Sequence, residues 1–171
     1  MLIIACVDEK NGMMFNHRRQ SRDSAVCQDI LQECRGKKLY MSAYSQKMFS
    51  EMQGTKTRSL EDGVDIQAQE IKSKTLDDIL DTAQIETEIR ISDNILKQAG
   101  ETDACFIEDT RLSGFEDCIQ AVILYKWNRK YPADLFFTID LSDGSWELRQ
   151  TEEFKGSSHE RITKEVYERI R

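Results

Sequence analysis

The segment Asn16-His17-Arg18-Arg19-Gln20-Ser21-Arg22-Asp23 gathers cations and amide groups within eight residues of a chain whose net charge is −7. Arg18 and Arg19 can each grip a phosphate or carboxylate with two parallel hydrogen bonds. His17 can act as an acid or a hydrogen-bond donor near neutral pH, and Asn16 and Gln20 add amide donors and acceptors. The segment lies after a strand-like run and just before a helix start. In open α/β sheets this is where backbone N–H groups and a helix dipole converge on ligands. The plain alternative is a solvated loop whose arginines pair with acidic residues elsewhere. Asp23 also has two readings: a general acid, which requires burial and a raised pKa, or the cap of the following helix.

Other clusters are weaker. Glu108-Asp109-Thr110-Arg111 suits a metal or cationic ligand, but without a spaced third ligand it reads first as a solvated turn with a local salt bridge. Trp127-Asn128-Arg129-Lys130-Tyr131 combines aromatics and cations, as sites that stack a ring and grip its phosphate do; otherwise Trp127 packs inward and the charges face water. In Gly156-Ser157-Ser158-His159 a serine precedes a histidine, but no third group is placed by the sequence, so a turn between strands is expected.

Counts exclude several chemistries. Two histidines, His17 and His159, without HxH or HExxH spacing, cannot build a His-rich binuclear metal centre, and no metal is expected. Five cysteines without a CxxC pair argue against a disulfide framework or zinc knuckle, and Cys6, Cys27, Cys34 and Cys105 sit at apolar positions as core packers. The acidic balance disfavours nucleic acid as a partner. No apolar run approaches the roughly 20 residues of a membrane span. The N-terminal run Met-Leu-Ile-Ile-Ala-Cys-Val meets Asp8 and Glu9 at once, so it reads as a strand rather than a secretory leader, and a cytoplasmic location is expected. At 171 residues, 39% hydrophobic and 32% charged, the chain suits one domain spanning 1–171.

The elements that must position these residues follow from periodicity. Leu2 to Val7 is a continuous apolar run, the pattern of a strand buried on both faces. Met13 to Arg22 follows neither period and reads as a loop. Val26, Cys27, Ile30, Leu31 and Cys34 recur at helical spacing after Asp23. Lys37 to Met41 is a short strand, followed by a helical turn over Ser45 to Met52. Between Ser59 and Asp103 there are 12 acidic and 4 basic residues, and a charged, solvated insertion is expected at about 54–83, with Leu76 to Leu80 as a short helix. Ile85, Thr87, Ile89 and Ile91 alternate as a strand, and Asp93 caps a helix through Gln98. Ala104 to Ile107 and Ala121 to Trp127 are buried strands, with a short helix or turn over Gly114 to Ile119. Asp134 to Leu141 and Trp146 to Thr151, joined through Asp143-Gly144, read as a hairpin. The tail from Arg161 to Arg171 fits helix and strand alike. The expected class is three-layer α/β, a mainly parallel twisted sheet with an antiparallel C-terminal edge hairpin.

Ala5-Cys6-Val7-Asp8-Glu9-Lys10-Asn11-Gly12-Met13 resembles the opening strand and turn of dihydrofolate reductases. Lys38-Leu39-Tyr40-Met41-Ser42 and Ala104-Cys105-Phe106-Ile107 stand in order where that family has a Val-Ile-Met-Gly strand end and the strand feeding its Gly-Gly turn. Trp146-Glu147-Leu148 resembles the family's Trp-Glu-X, and Lys164-Glu165-Val166-Tyr167-Glu168-Arg169 its closing Phe-Glu-Val-Tyr-Glu-Lys strand. The resemblance implies a dihydrofolate-reductase-like fold and makes the tail a strand. It also implies NADPH as cofactor and a pterin site near Asp23.

The departures point elsewhere. Where the family's pyrophosphate lies against Gly-Gly, this chain has Glu108-Asp109-Thr110, and two carboxylates there disfavour NADPH. The family's Gly-Arg-X-Thr clamp appears as Ser42-Ala43-Tyr44-Ser45, without the arginine. Trp127 stands where a pterin-contacting Thr is expected. The expected function is a divergent relative that binds a small anionic, nucleotide- or pterin-like ligand. Its cleft lies between the Asn16–Asp23 segment, the turn carrying Ser42, Tyr44 and Ser45, and the turn carrying Glu108, Asp109, Thr110 and Arg111. Asp23 or His17 would handle protons. The alternatives are an NAD(P)H-dependent reductase of a pterin-like substrate and a non-catalytic interaction module.

Overall fold

The computed structural model describes residues 1–52 and 87–170. The expected helix over Leu76 to Leu80 and the whole of the acidic insertion at about 54–83 lie outside the described residues. Along the chain run β1 (Leu2–Val7), β2 (Gly12–Phe15), β3 (Arg18–Arg19), α1 (Ser24–Glu33), β4 (Lys38–Met41), α2 (Ala43–Met52), β5 (Glu88–Ile91) and α3 (Ile95–Gln98). After these come β6 (Ala104–Ile107), a 3-10 turn (Glu116–Cys118), β7 (Ala121–Lys126), β8 (Leu135–Phe136), β9 (Trp146–Phe154) and β10 (Ile162–Arg169).

The main sheet has the order β5-β4-β6-β1-β7-β10-β9. The pairs from β5 to β7 are parallel, and β10 is antiparallel to both β7 and β9. This is the expected α/β class: a mostly parallel sheet with antiparallel strands at one edge. The alternation of β1 explains its unbroken apolar run. Ile3, Ala5 and Val7 enter one core layer and Ile4 and Cys6 the other, so every residue of the strand meets a covered face. On one face β1 packs with α1 and α2, where Phe49 meets the Phe106 ring edge-on at 5.4 Å. On the other, α3, Met13, Met14, Leu112, Phe137 and Trp146 complete the layer. Cys6, Cys27, Cys34 and Cys105 are buried among these side chains, while Cys118 is exposed.

Three expectations are corrected. The segment read as a hairpin, Asp134 to Leu141 with Trp146 to Thr151, does not pair with itself. Its first half supplies β8, which joins β2 in a small second sheet of order β3-β2-β8. The edge hairpin is instead β9 with β10, turning through Gly156 to His159. The segment Met13 to Arg22 is also not a plain loop: β2 and β3 make a short antiparallel hairpin there. The helix expected to be capped by Asp93 starts at Ile95, after Asn94, which makes no side-chain cap bond. Among the described residues no helix is long and apolar enough to cross a membrane.

Candidate functional site

The β2–β3 hairpin sets the geometry of the candidate site. Phe15 pairs with Arg18, leaving Asn16 and His17 as a two-residue loop with φ of 48° and 58°. Two successive left-handed residues match the right-handed twist of paired strands, which is why such loops form. The Asn16 backbone N–H donates to Asp134 Oδ2 at 2.8 Å, fastening the tip beside β8. At the root of the hairpin Asp8 is buried, its Oδ1 accepting from the N–H groups of Lys10 and Gly12 and its Oδ2 from that of Tyr131. A Cβ on Gly12 would lie 2.5 Å from the Ala133 Cβ and 2.9 Å from Gln20 Nε2, so the close approach there requires glycine.

Arg19 crosses to the end of the main sheet. Its Nη2 pairs with Glu108 Oε1 at 2.9 Å and donates to the Tyr44 carbonyl at 2.8 Å, while its guanidinium lies 4.4 Å from the Tyr44 ring centroid. Both side chains of this ion pair are more than nine-tenths buried. Ser45 Oγ donates to Glu108 Oε1, and Ser42 Oγ donates to Asp109 Oδ2, each at 2.9 Å. The serines at the start of α2 thus hold this protein's own carboxylates. Burial pushes the Glu108 carboxyl up to about 6, and Arg19 and the Ser45 hydroxyl only partly offset it. Arg19 Nε and Nη1 are buried without a partner among the described residues, although a guanidinium has five N–H donors to place.

Asp23 is the cap of α1. Its Oδ1 accepts from the N–H groups of Ala25 and Val26, and its Oδ2 from the N–H and Oγ of Ser158, both at 2.7 Å. Burial raises its pKa, but these hydrogen bonds outweigh that and hold the carboxyl below its ordinary value. An acid so placed stays ionised and has its lone pairs filled. A Cβ on Gly156 would strike Asp23 Oδ2, so that glycine is what lets the β9–β10 turn reach the helix.

The Ser158-His159 pair does acquire further partners, contrary to expectation. Ser158 Oγ lies 2.7 Å from His159 Nδ1, and His159 Nε2 lies 2.8 Å from the Tyr131 hydroxyl. Because ionised Asp23 can only accept, the Ser158 proton points to it. His159 Nδ1 must then be the donor to Ser158, leaving Nε2 to accept from Tyr131. The carboxylate therefore sits on the serine and not on the imidazole, which is the wrong order for activating a serine nucleophile. Burial, then Arg129, depresses the pKa of His159. Trp127 is buried and stacks on His159 at 4.9 Å, its Nε1 without a partner among the described residues.

The hairpin divides the candidate ligand residues. His17, Tyr44, Asp109 and Arg111 line one cavity of about 420 Å³ together with Met14 and Asp134. Asn16, Arg18, Arg19 and Gln20 line another of about 570 Å³ with Phe15, Tyr131 and Pro132. Glu108 and Ser45 are buried, and Thr110 Oγ1 makes a 3.4 Å contact to Asp109. The burial of Glu108 on Arg19 was not legible in sequence, because the partner is 89 positions away. Among the described residues no group of three His, Cys, Asp or Glu side chains is placed to hold a metal ion.

The residues present do not fit the NADPH that the family resemblance implies. Glu108 and Asp109 occupy both hydroxyls at the start of α2, so a diphosphate there would meet two carboxylates instead of free donors.

No family model matches the chain, and no curated protein matches its sequence. Among solved structures it is similar to a dihydrofolate reductase from Enterococcus faecalis complexed with NADP(H) and RAB-propyl, with a TM-score of 0.55 and 14% identity. The match covers 99% of this chain and 96% of that one. Likeness at this identity speaks to the fold alone, and the fold is dihydrofolate-reductase-like.

Proposed function

We propose that this chain is a divergent protein of dihydrofolate-reductase-like fold that binds a small anionic ligand in the cleft beside the β2–β3 hairpin, without a nicotinamide dinucleotide. An asymmetry among the cleft's charges carries this reading. Its carboxylates are engaged by protein donors: Glu108 by Arg19 and Ser45, Asp109 by Ser42, and Asp134 by the Asn16 N–H. Its cations keep donors in reserve. Arg111 makes no ion pair among the described residues, and Arg19 uses one of its three guanidinium nitrogens. The free capacity is therefore for an acceptor with negative charge.

In this reading Arg111 and His17 hold the anion at the cleft mouth, Tyr44 forms the wall over Arg19, and Glu108 keeps Arg19 extended. Asp23 serves as a brace between α1 and the β9–β10 turn. The buried free thiols and acidic composition support a reducing, cytoplasmic setting.

A thermal-shift panel of inorganic phosphate, sugar phosphates and small dicarboxylates tests the proposal. At least one anion is expected to raise the melting temperature, and Arg111→Ala to remove most of that rise. NADPH is expected to leave it unchanged. Stabilisation by NADPH with quenching of tryptophan fluorescence would restore the reductase reading and overturn this one.

A further inference from the structure

The cavity on the opposite side of the hairpin has a different character from the cleft. Its walls include two aromatic rings, Phe15 and Tyr131, with Pro132 beside them and Arg18 at its edge. Phe15 is 42% exposed, unusual for a phenylalanine in a strand that buries Met13 and Met14. Tyr131 is rigidly placed. Its backbone N–H is held by Asp8 Oδ2 at 3.0 Å, its hydroxyl by His159 Nε2 at 2.8 Å, and its ring stands edge-on to the imidazole. A ring locked at both ends makes a stacking surface at little entropic cost.

Gln20 also lines this cavity, and both its amide atoms are buried with no hydrogen-bond partner among the described residues. A carboxamide offers one acceptor and a donor in a single plane, and leaving both unmade is costly. That pair matches the donor–acceptor edge of a nucleobase, as glutamine does when it reads adenine. Arg18 makes no ion pair among the described residues and carries a planar charge suited to a phosphate. The volume of about 570 Å³ is within the range of small-ligand pockets.

We propose that this cavity is a second binding site, distinct from the anion cleft, that takes a nucleoside monophosphate. The base stacks between Phe15 and Tyr131 with its polar edge on the Gln20 amide, and the phosphate lies on Arg18. The stacking faces tolerate any base, so the Gln20 edge supplies the discrimination.

Isothermal calorimetry of the full chain with AMP, GMP, CMP and UMP tests this, with adenosine and ribose 5-phosphate separating base from phosphate. At least one monophosphate is expected to bind, more tightly than either fragment. Arg18→Ala is expected to weaken it about tenfold, the order of one charge-assisted contact. Gln20→Met is expected to weaken it at least as much, while the melting temperature of the unliganded chain stays level or rises, because a buried unpaired amide has been replaced by an apolar group of similar size. A purely structural glutamine would instead lower that temperature. Absence of binding by all four monophosphates at millimolar concentration, or binding unchanged in both variants, would overturn the proposal. Inorganic-phosphate binding that Arg111→Ala removes and Arg18→Ala leaves reports on the cleft, and adenosine binding reports on Gln20 and the two rings, so failure of one site is distinguishable from failure of the other.

Discussion

Glu108 and Asp23 are both buried carboxylates, and their surroundings move them in opposite directions. Glu108 gains too few hydrogen bonds to offset its burial, and its carboxyl rises to about 6. Asp23 accepts four and falls below its ordinary value. Between pH 4.5 and 6 the folded chain therefore keeps a proton on Glu108 that the unfolded chain has released. Raising the pH through that window favours unfolding, with a contribution on the order of 2 kcal/mol. Urea denaturation should show the stability of the wild type falling relative to Glu108→Gln as pH rises across it; a flat or rising difference would contradict the burial argument. Asp23 contributes in the other sense, its stabilisation being lost only in acid, below the ordinary carboxylate range. The capping role of Asp23 was legible from its place before a helical pattern. The burial of Glu108 was not, because that depends on Arg19 arriving from a distant hairpin.

The β2–β3 hairpin is the element on which the site turns, and its signal was present but faint. Two-residue hairpin loops are usually announced by Asn-Gly; here the pair is Asn16-His17, and the flanking strands are only four and two residues long. His17 is held at φ 58° for the sake of the turn. A non-glycine residue there carries a backbone penalty of roughly 1 kcal/mol. His17→Gly is accordingly expected to stabilise the chain by about that amount in chemical denaturation, whereas anion binding in the cleft should weaken. A loss of stability would mean that the histidine makes contacts that outweigh its backbone cost. The Asp143-Gly144 pair misled for the converse reason. Gly144 does take a positive φ of 86°, but the strand before it pairs with β2 rather than with β9. A turn sequence fixes local direction without naming the partner strand.

At the scale of the molecule, the order of apolar runs and turns was enough to anticipate a mostly parallel sheet with an antiparallel edge. Sheet order is set by which runs lack a polar face, and β1, β6 and β7, the most apolar ones, lie at its centre. Because β1 is covered on both sides, adjacent residues should matter equally. Ile3→Ala and Ile4→Ala are each expected to cost roughly 2–5 kcal/mol, measured as similar shifts in the urea midpoint; a tolerated change at either would show one layer to be loosely packed. The division of the ligand residues into two cavities was beyond sequence reasoning, since it depends on where a hairpin that the sequence pattern did not display stands between them. The cysteines show a practical consequence of the same packing. Four thiols are enclosed by the two core layers and the fifth, Cys118, stands in the open beside the amino terminus, whose ammonium group bonds its carbonyl. A maleimide dye or spin label added to the folded chain would thus find a single address, beside the amino-terminal end of β1, without any engineering of the other four.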